Sequence, residues 1–189
     1  GTPAAQAVAG ATDQIPVIGT AITDFAASGL VASNDAPGGN VTGSSDLTPV
    51  EDQFDLLVRL IPSAKKVGLL YCTAESNSDV QVALAEAAAS ARGLEAVRFS
   101  VSSSNEIQQV VESMVGKVDV AYAPTDNTIA AGMSTVSMVA IEHKLPVIVG
   151  EQGMVDNGGL ATYGINYDQL GYKAGQMAVK VLKGEAKPA

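Results

Sequence analysis

Three runs in this chain, KKVGLLYC (65–72), VDVAYAP (118–124) and LPVIVGE (145–151), stay apolar over the length of a strand. A strand with one wet face alternates apolar and polar residues, whereas one buried on both faces has no need to. Such runs call for a sheet covered on both sides. The segments between them carry a helical period. In TPVEDQFDLLVRLIP (48–62), Val50, Phe54, Leu57, Leu60 and Ile61 share one helical face. They follow Thr48, Pro49 and Glu51, which read as a cap, a first-turn proline and a capping acid. Residues 2–12, 78–93, 104–116, 128–144 and 167–184 also read as helices, and 15–23, 94–101 and 158–166 as strands. The stretch 27–43, rich in Gly, Asn and Ser, reads as a connection. Strands alternating with helices require right-handed crossovers, so the fold class is α/β with a doubly wound parallel sheet.

The core of that sheet must be aliphatic, because aromatic residues are 4% of the chain and Trp is absent. A net charge of −9 with no basic cluster makes this chain a poor nucleic-acid binder, since phosphate contacts require Lys and Arg, and there is no polybasic segment for an anionic membrane. One cysteine, Cys72, and one histidine, His143, exclude an internal disulfide and a multi-cysteine or histidine-rich metal site. No phosphate loop and no Gly-x-Ser-x-Gly elbow occurs. GGNVTG (38–43) imitates a dinucleotide fingerprint but follows a connection rather than a strand. His143 reads as a surface residue near a helix end, and Cys72 as a small semi-buried one. No cofactor, metal or catalytic set is expected.

What remains is a series of short polar clusters, each beside a strand end or a helix start. They are Thr20, Thr23 and Asp24; Ser44, Ser45 and Asp46; Thr73, Glu75, Ser76, Asn77 and Ser78; Thr125, Asp126, Asn127 and Thr128; and Glu151 with Gln152. Taken singly, each reads as a helix cap. In a doubly wound sheet, however, ligands sit beyond the carboxyl ends of the strands, which brings such loops to one edge. Helix N-termini there favour an anion, and acids such as Asp126 and Glu151 favour a cation. An edge with both suits a zwitterion such as an amino acid.

GGNVTGSSDLTPVEDQ, AKKVGLLY, ESNS, VDVAYAPTDNT and ATYGINYDQLGYKAGQMAVKVLKGEAKPA together resemble the substrate-binding proteins of bacterial ABC importers, in the group that includes tryptophan- and tyrosine-binding lipoproteins. The resemblance runs over essentially the whole chain, in order. It implies a type I periplasmic-binding fold, in which two Rossmann-like lobes are joined by hinge crossings and close on a ligand. On that reading residues 1–38 are the end of the first lobe and the first crossing. Residues 39–163 are the second lobe, and 164–189 cross back to a helix that packs on the first lobe, whose front is not in this chain. The resemblance nominates Ser76, Asn77, Ser78, Thr125, Asp126, Asn127 and Glu151 on the second lobe, and Thr20, Thr23 and Asp24 on the first. Asp126 is expected to receive the ligand's ammonium, and Ser76–Ser78 with their helix N-terminus its carboxylate. The expected function is solute recognition for an importer, outside the cytoplasm, with an ABC permease as partner and an amino acid, aromatic ones among the candidates, as ligand. The alternative is the effector-sensing core of a transcription regulator of the same fold. An upstream lipoprotein signal or helix-turn-helix distinguishes them. Leu170, Ala174, Met177, Val181 and Leu182 form a helix face that needs cover, so self-association is expected if the first lobe is incomplete.

Overall fold

The computed structural model describes residues 1–188; residue 189, the end of the expected 164–189 segment, lies outside them. The chain divides into two units. One is Gly1–Leu47 together with Ile165 onward, and the other is Thr48–Gly164.

The second unit holds a four-stranded parallel sheet in the order β4-β3-β5-β6, with β3 Lys66–Cys72, β4 Glu95–Val101, β5 Val120–Ala123 and β6 Val147–Val149. The apolar runs form its centre, as expected of strands covered on both faces. Val67, Leu69, Tyr71, Val120, Tyr122 and Ile148 point to one face, where they pack with helices α2 (Val50–Leu60) and α3 (Ser76–Ala91). Leu70, Cys72, Ala121, Ala123, Val147 and Val149 point to the other. There they meet α4 (Ile107–Met114) and α6 (Met133–Glu142). Between α4 and α6 in sequence, a short helix, α5 (Asn127–Ala131), follows β5. The chain leaves β3 for α3 on one face and leaves β5 for α5 and α6 on the other. β3 and β5 are neighbours, so the direction of winding reverses between them. This is the switch point at which doubly wound sheets open a crevice.

Four expectations change here. The helix read over 128–144 is broken at Gly132, where a Cβ would strike the Ile107 side chain. A five-residue helix, α7 (Gln152–Asp156), follows β6 where none was read. The strand read at 158–166 shrinks to a single bridge from Ala161 to Ile148, because Gly158 and Gly159 turn the chain against Ser137 and Val149. Thr48 does not cap α2; that helix starts at Pro49 with no side-chain cap, and the buried Thr48 hydroxyl has no partner.

The first unit is built on two parallel strands, β1 (Val17–Ile22) and β2 (Val41–Ser45), packed with α1 (Thr2–Ala9) and α8 (Tyr167–Leu182). β2 lies in the stretch read as a connection and expected to open the second lobe at residue 39. Its pairing with β1 moves that boundary to Leu47/Thr48. Alternation was invisible there because Gly43 occupies the middle of the strand. At Gly43 the φ is 155°, and a Cβ would collide with the backbone of Gly19 across the ladder, so only glycine fits. The register shifts between Gly19 and Ile22, and Ala21 adopts a left-handed φ of 55°. This bulge bends the end of β1. On α8, Ala174 is buried, Leu170, Met177 and Val181 are half-buried, and Leu182 is exposed.

Candidate functional site

At the switch point the loops after β3 and β5 are tied together by a polar knot. Glu75, the residue before α3, reaches across to the start of α5. Its Oε1 accepts from Thr128 N (2.8 Å) and Thr128 Oγ1 (2.7 Å), and its Oε2 accepts from Asn127 N (3.1 Å) and Asn127 Nδ2. Asp126 is the N-cap of α5. Its Oδ1 accepts from Ile129 N at 2.9 Å, and its Oδ2 accepts from Cys72 N and Ser78 Oγ, both at 2.7 Å. One carboxylate thus links the end of β3, the first turn of α3 and the start of α5. Gln81 completes the knot. Its Oε1 takes the Thr125 hydroxyl at 2.8 Å, and its amide donates to the Thr125 carbonyl at 3.2 Å.

The two acids titrate apart. Burial pushes Glu75 up, but the donors of Asn127 and Thr128 outweigh it and hold its carboxyl below the usual range. For Asp126 burial prevails over the bonds from Ser78, Ile129 and Cys72, and the Glu75 charge adds to it, so its carboxyl is raised.

The knot brings Ser78, Asn77, Thr125, Asp126 and Asn127 together and gives each a place. Asp126 (1% exposed), Ser78 (0%) and Thr125 (7%) are closed inside it. This differs from the ligand contact expected of Asp126: its oxygens serve the loops, and its carboxylate positions α5. Ser78 is likewise spent on Asp126. The amide nitrogen of Asn77 donates to Glu75, Ser78 and Thr125, while its buried Oδ1 is without a partner. Asn127 is exposed and Ser76 half-buried, so these two present the edge outward. Glu151 turns both oxygens onto its own helix, accepting from Gly153 N (2.6 Å) and Met154 N (2.8 Å). Glu75 and Gln81 were the residues that sequence reasoning left out of the site. Glu75 stood in a cluster already singled out, but a side chain that caps a helix fifty residues away has no local signature. Gln81 lies one turn inside α3, where nothing marks it.

In the first unit Thr23 and Asp24 line a cavity of about 230 Å³ beside Phe25, Val31, Asn34 and Thr42. Thr20 is not part of it; its hydroxyl lies 3.2 Å from that of Ser44. The Asp24 Oδ1 accepts from Ala27 N at 2.9 Å and Asn34 Nδ2 at 3.0 Å. The Ala27 bond lowers its carboxyl against the opposing effect of burial, and Asn34 helps. Thr23 donates to the buried Asp46 at 3.1 Å, and the Tyr167 hydroxyl approaches Asp46 at 3.4 Å. Among the described residues no group of three or more His, Cys, Asp or Glu is arranged to hold a metal, and no helix is long and apolar enough to cross a membrane.

A family model described as ABC transporter substrate binding protein matches residues 1–189. A tyrosine-binding protein of Clostridioides difficile is 47% identical over 185 residues, which is 98% of this chain and 54% of that protein. The crystal structure of an ABC domain in complex with L-Trp from Streptococcus pneumonia matches at a TM-score of 0.97 and 46% identity, covering 100% of this chain and 63% of that one. The ligand-free, open structure of a substrate binding protein with adhesive properties from Clostridium difficile matches at 0.70 and 48%, covering 98% and 63%. The chain spans about half the length of the curated relatives it matches.

Proposed function

Since the chain belongs to the ABC transporter substrate-binding protein family, we propose that it is the solute-recognition part of an importer and that its ligand is an amino acid with an aromatic side chain. The observation that carries this is the match along the whole chain, at 46–47% identity, to one relative named for tyrosine and another solved with L-Trp. The family binds solutes rather than transforming them. On this reading the protein works outside the cytoplasm, on a lipid anchor, and hands its ligand to a membrane permease.

The geometry supports recognition without chemistry. The polar edge at the switch point is held rigid by Glu75, Gln81 and Asp126, so its outward groups, Ser76 and Asn127, are positioned before a ligand arrives. Preorganisation of this kind raises affinity by lowering the ordering cost of binding. Ser76 with the first turn of α3 suits the ligand's carboxylate, because the N-terminus of a sixteen-residue helix favours an anion. Closure of the full-length protein over its ligand is driven only by the ligand's greater affinity for the closed state.

The test is thermal unfolding and titration calorimetry of the full-length protein against each common amino acid. Tyrosine or tryptophan at about one hundred times its Kd is expected to stabilise the fold by about 2.7 kcal/mol, a melting shift of roughly 3–5 °C for a protein about twice this chain's length. A flat response to every amino acid overturns the reading.

A further inference from the structure

We propose that the cavity beside Asp24 is the ammonium-recognition pocket of the ligand site, with the Asp24 carboxylate as counter-ion to a primary amine. This deepens the amino-acid reading and rests on it.

Four observations carry the proposal. First, the hydrogen bonds to Asp24 from Ala27 N and Asn34 Nδ2 both fall on Oδ1, and the Ala26 N–H acts on the carboxylate more weakly, which leaves Oδ2 with acceptor capacity. An ionised carboxylate accepts at both oxygens. The Ala27 bond foremost, with help from Asn34 and Ala26, outweighs burial and holds its carboxyl below the usual range. Second, the competing acids are otherwise engaged. Asp126 and Glu75 are wrapped by N–H and O–H donors, and Asp46 is closed in with Thr23 and Tyr167. Asp24 is the half-buried acid among the nominated residues that still faces a cavity.

Third, the cavity has the right size and lining. At about 230 Å³ it is below the usual volume of a site that takes a whole ligand, roughly 300–1,000 Å³, and fits one end of a small molecule. No Lys or Arg lines it, so no cationic side chain of the lining competes for the carboxylate. Phe25, Val31 and Leu47 offer apolar surface to the carbon atoms beside the amine, and Thr42 adds a hydroxyl. Fourth, the backbone that walls this space is tightly constrained. Gly43 lies in the wall, where any side chain would strike the Gly19 backbone, and the bulge at Ala21 turns the chain just before Thr23 and Asp24. Left-handed backbone at a non-glycine residue is the kind of strain that persists at ligand sites.

Three probes separate the proposal from the broader reading. They are the aromatic amino acid that binds best, the same molecule without its amino group, and the same molecule without its carboxylate. Calorimetry is run on the full-length protein and on Asp24→Asn, which keeps an acceptor for Ala27 N. Asp24→Asn is expected to weaken the amino acid and the amine at least tenfold and to leave the deaminated acid within about twofold. Val31→Phe, which adds bulk to the cavity wall and leaves the Asp24 charge in place, is expected to weaken both amine-bearing probes by a similar factor, with folding of the variant checked by its melting curve. If wild type binds the amino acid and Asp24→Asn binds all three probes as wild type does, or weakens all three alike, the ammonium assignment is overturned while the amino-acid reading stands. If wild type binds none of the probes, the reading itself has failed and the assignment falls with it.

Discussion

Asp46 lies near the point where the chain leaves the first unit, 7% exposed, with the hydroxyls of Thr23 and Tyr167 as its side-chain partners. Burial raises its carboxyl above the ordinary range, and the hydroxyls offset this only in part. A raised folded-state value means the group favours the fold fully below the ordinary aspartate pKa of about 3.9 and loses that contribution as pH climbs through the folded value. Asp46→Asn keeps the shape and an acceptor for Thr23 but carries no charge. Its melting temperature is therefore expected to exceed the parent's at pH 7, with the gap closing as the pH falls to 4. Equal melting curves at both values would show that Asp46 is solvated in the native state. The lone cysteine is a simpler case. Cys72 is buried at the end of β3, where its backbone N–H is held by Asp126. Its sequence context suggested a semi-buried residue; at 1% exposed it is fully enclosed in the core.

At the scale of elements, helix α5 is only five residues long and owes its start to two carboxylates, its own cap Asp126 and the distant Glu75. Glu75→Gln removes a charged acceptor from four donors on Asn127 and Thr128. It is expected to cost on the order of 2–3 kcal/mol, since hydrogen bonds to charged groups are the costly ones to lose. Urea unfolding of the variant measures this, and a loss below about 0.5 kcal/mol would make the knot ornamental. The helices and central strands were legible because their signals are periodic and local: Phe54 and Leu57 on one face of α2, the unbroken run of β3. Strand β2 was not, because what defines it is a backbone approach between Gly19 and Gly43 twenty-four residues apart. The site was legible by composition but not by role. Ser, Thr, Asn and Asp beyond a strand mark a polar edge, yet only the fold tells which of them face one another. Asp126 carried the right chemistry for an ammonium and was enclosed by Cys72, Ser78 and Ile129. Asp24 carried the same chemistry and kept a cavity.

Across the whole molecule the two units are unequally furnished. The second has aliphatic layers on both faces of its sheet, while the buried core of the first is Ala5, Ile22, Phe25 and Val41. Local opening follows the density of buried apolar contacts. Hydrogen exchange of the 189-residue chain is therefore expected to release the amides of β1 and β2 well before those of β3 and β5. Uniform protection across both would contradict this. The first unit is also assembled from two stretches, since α8 packs on β1 and β2 from the far side of residues 48–164. During synthesis β1 and β2 therefore emerge from the ribosome without their covering helix. At about 5–20 residues per second, they wait on the order of ten seconds for it while the intervening sheet is made. The second unit, with apolar layers on both faces of its sheet, is synthesised whole in that interval, and β1 and β2 gain their covering helix only after it.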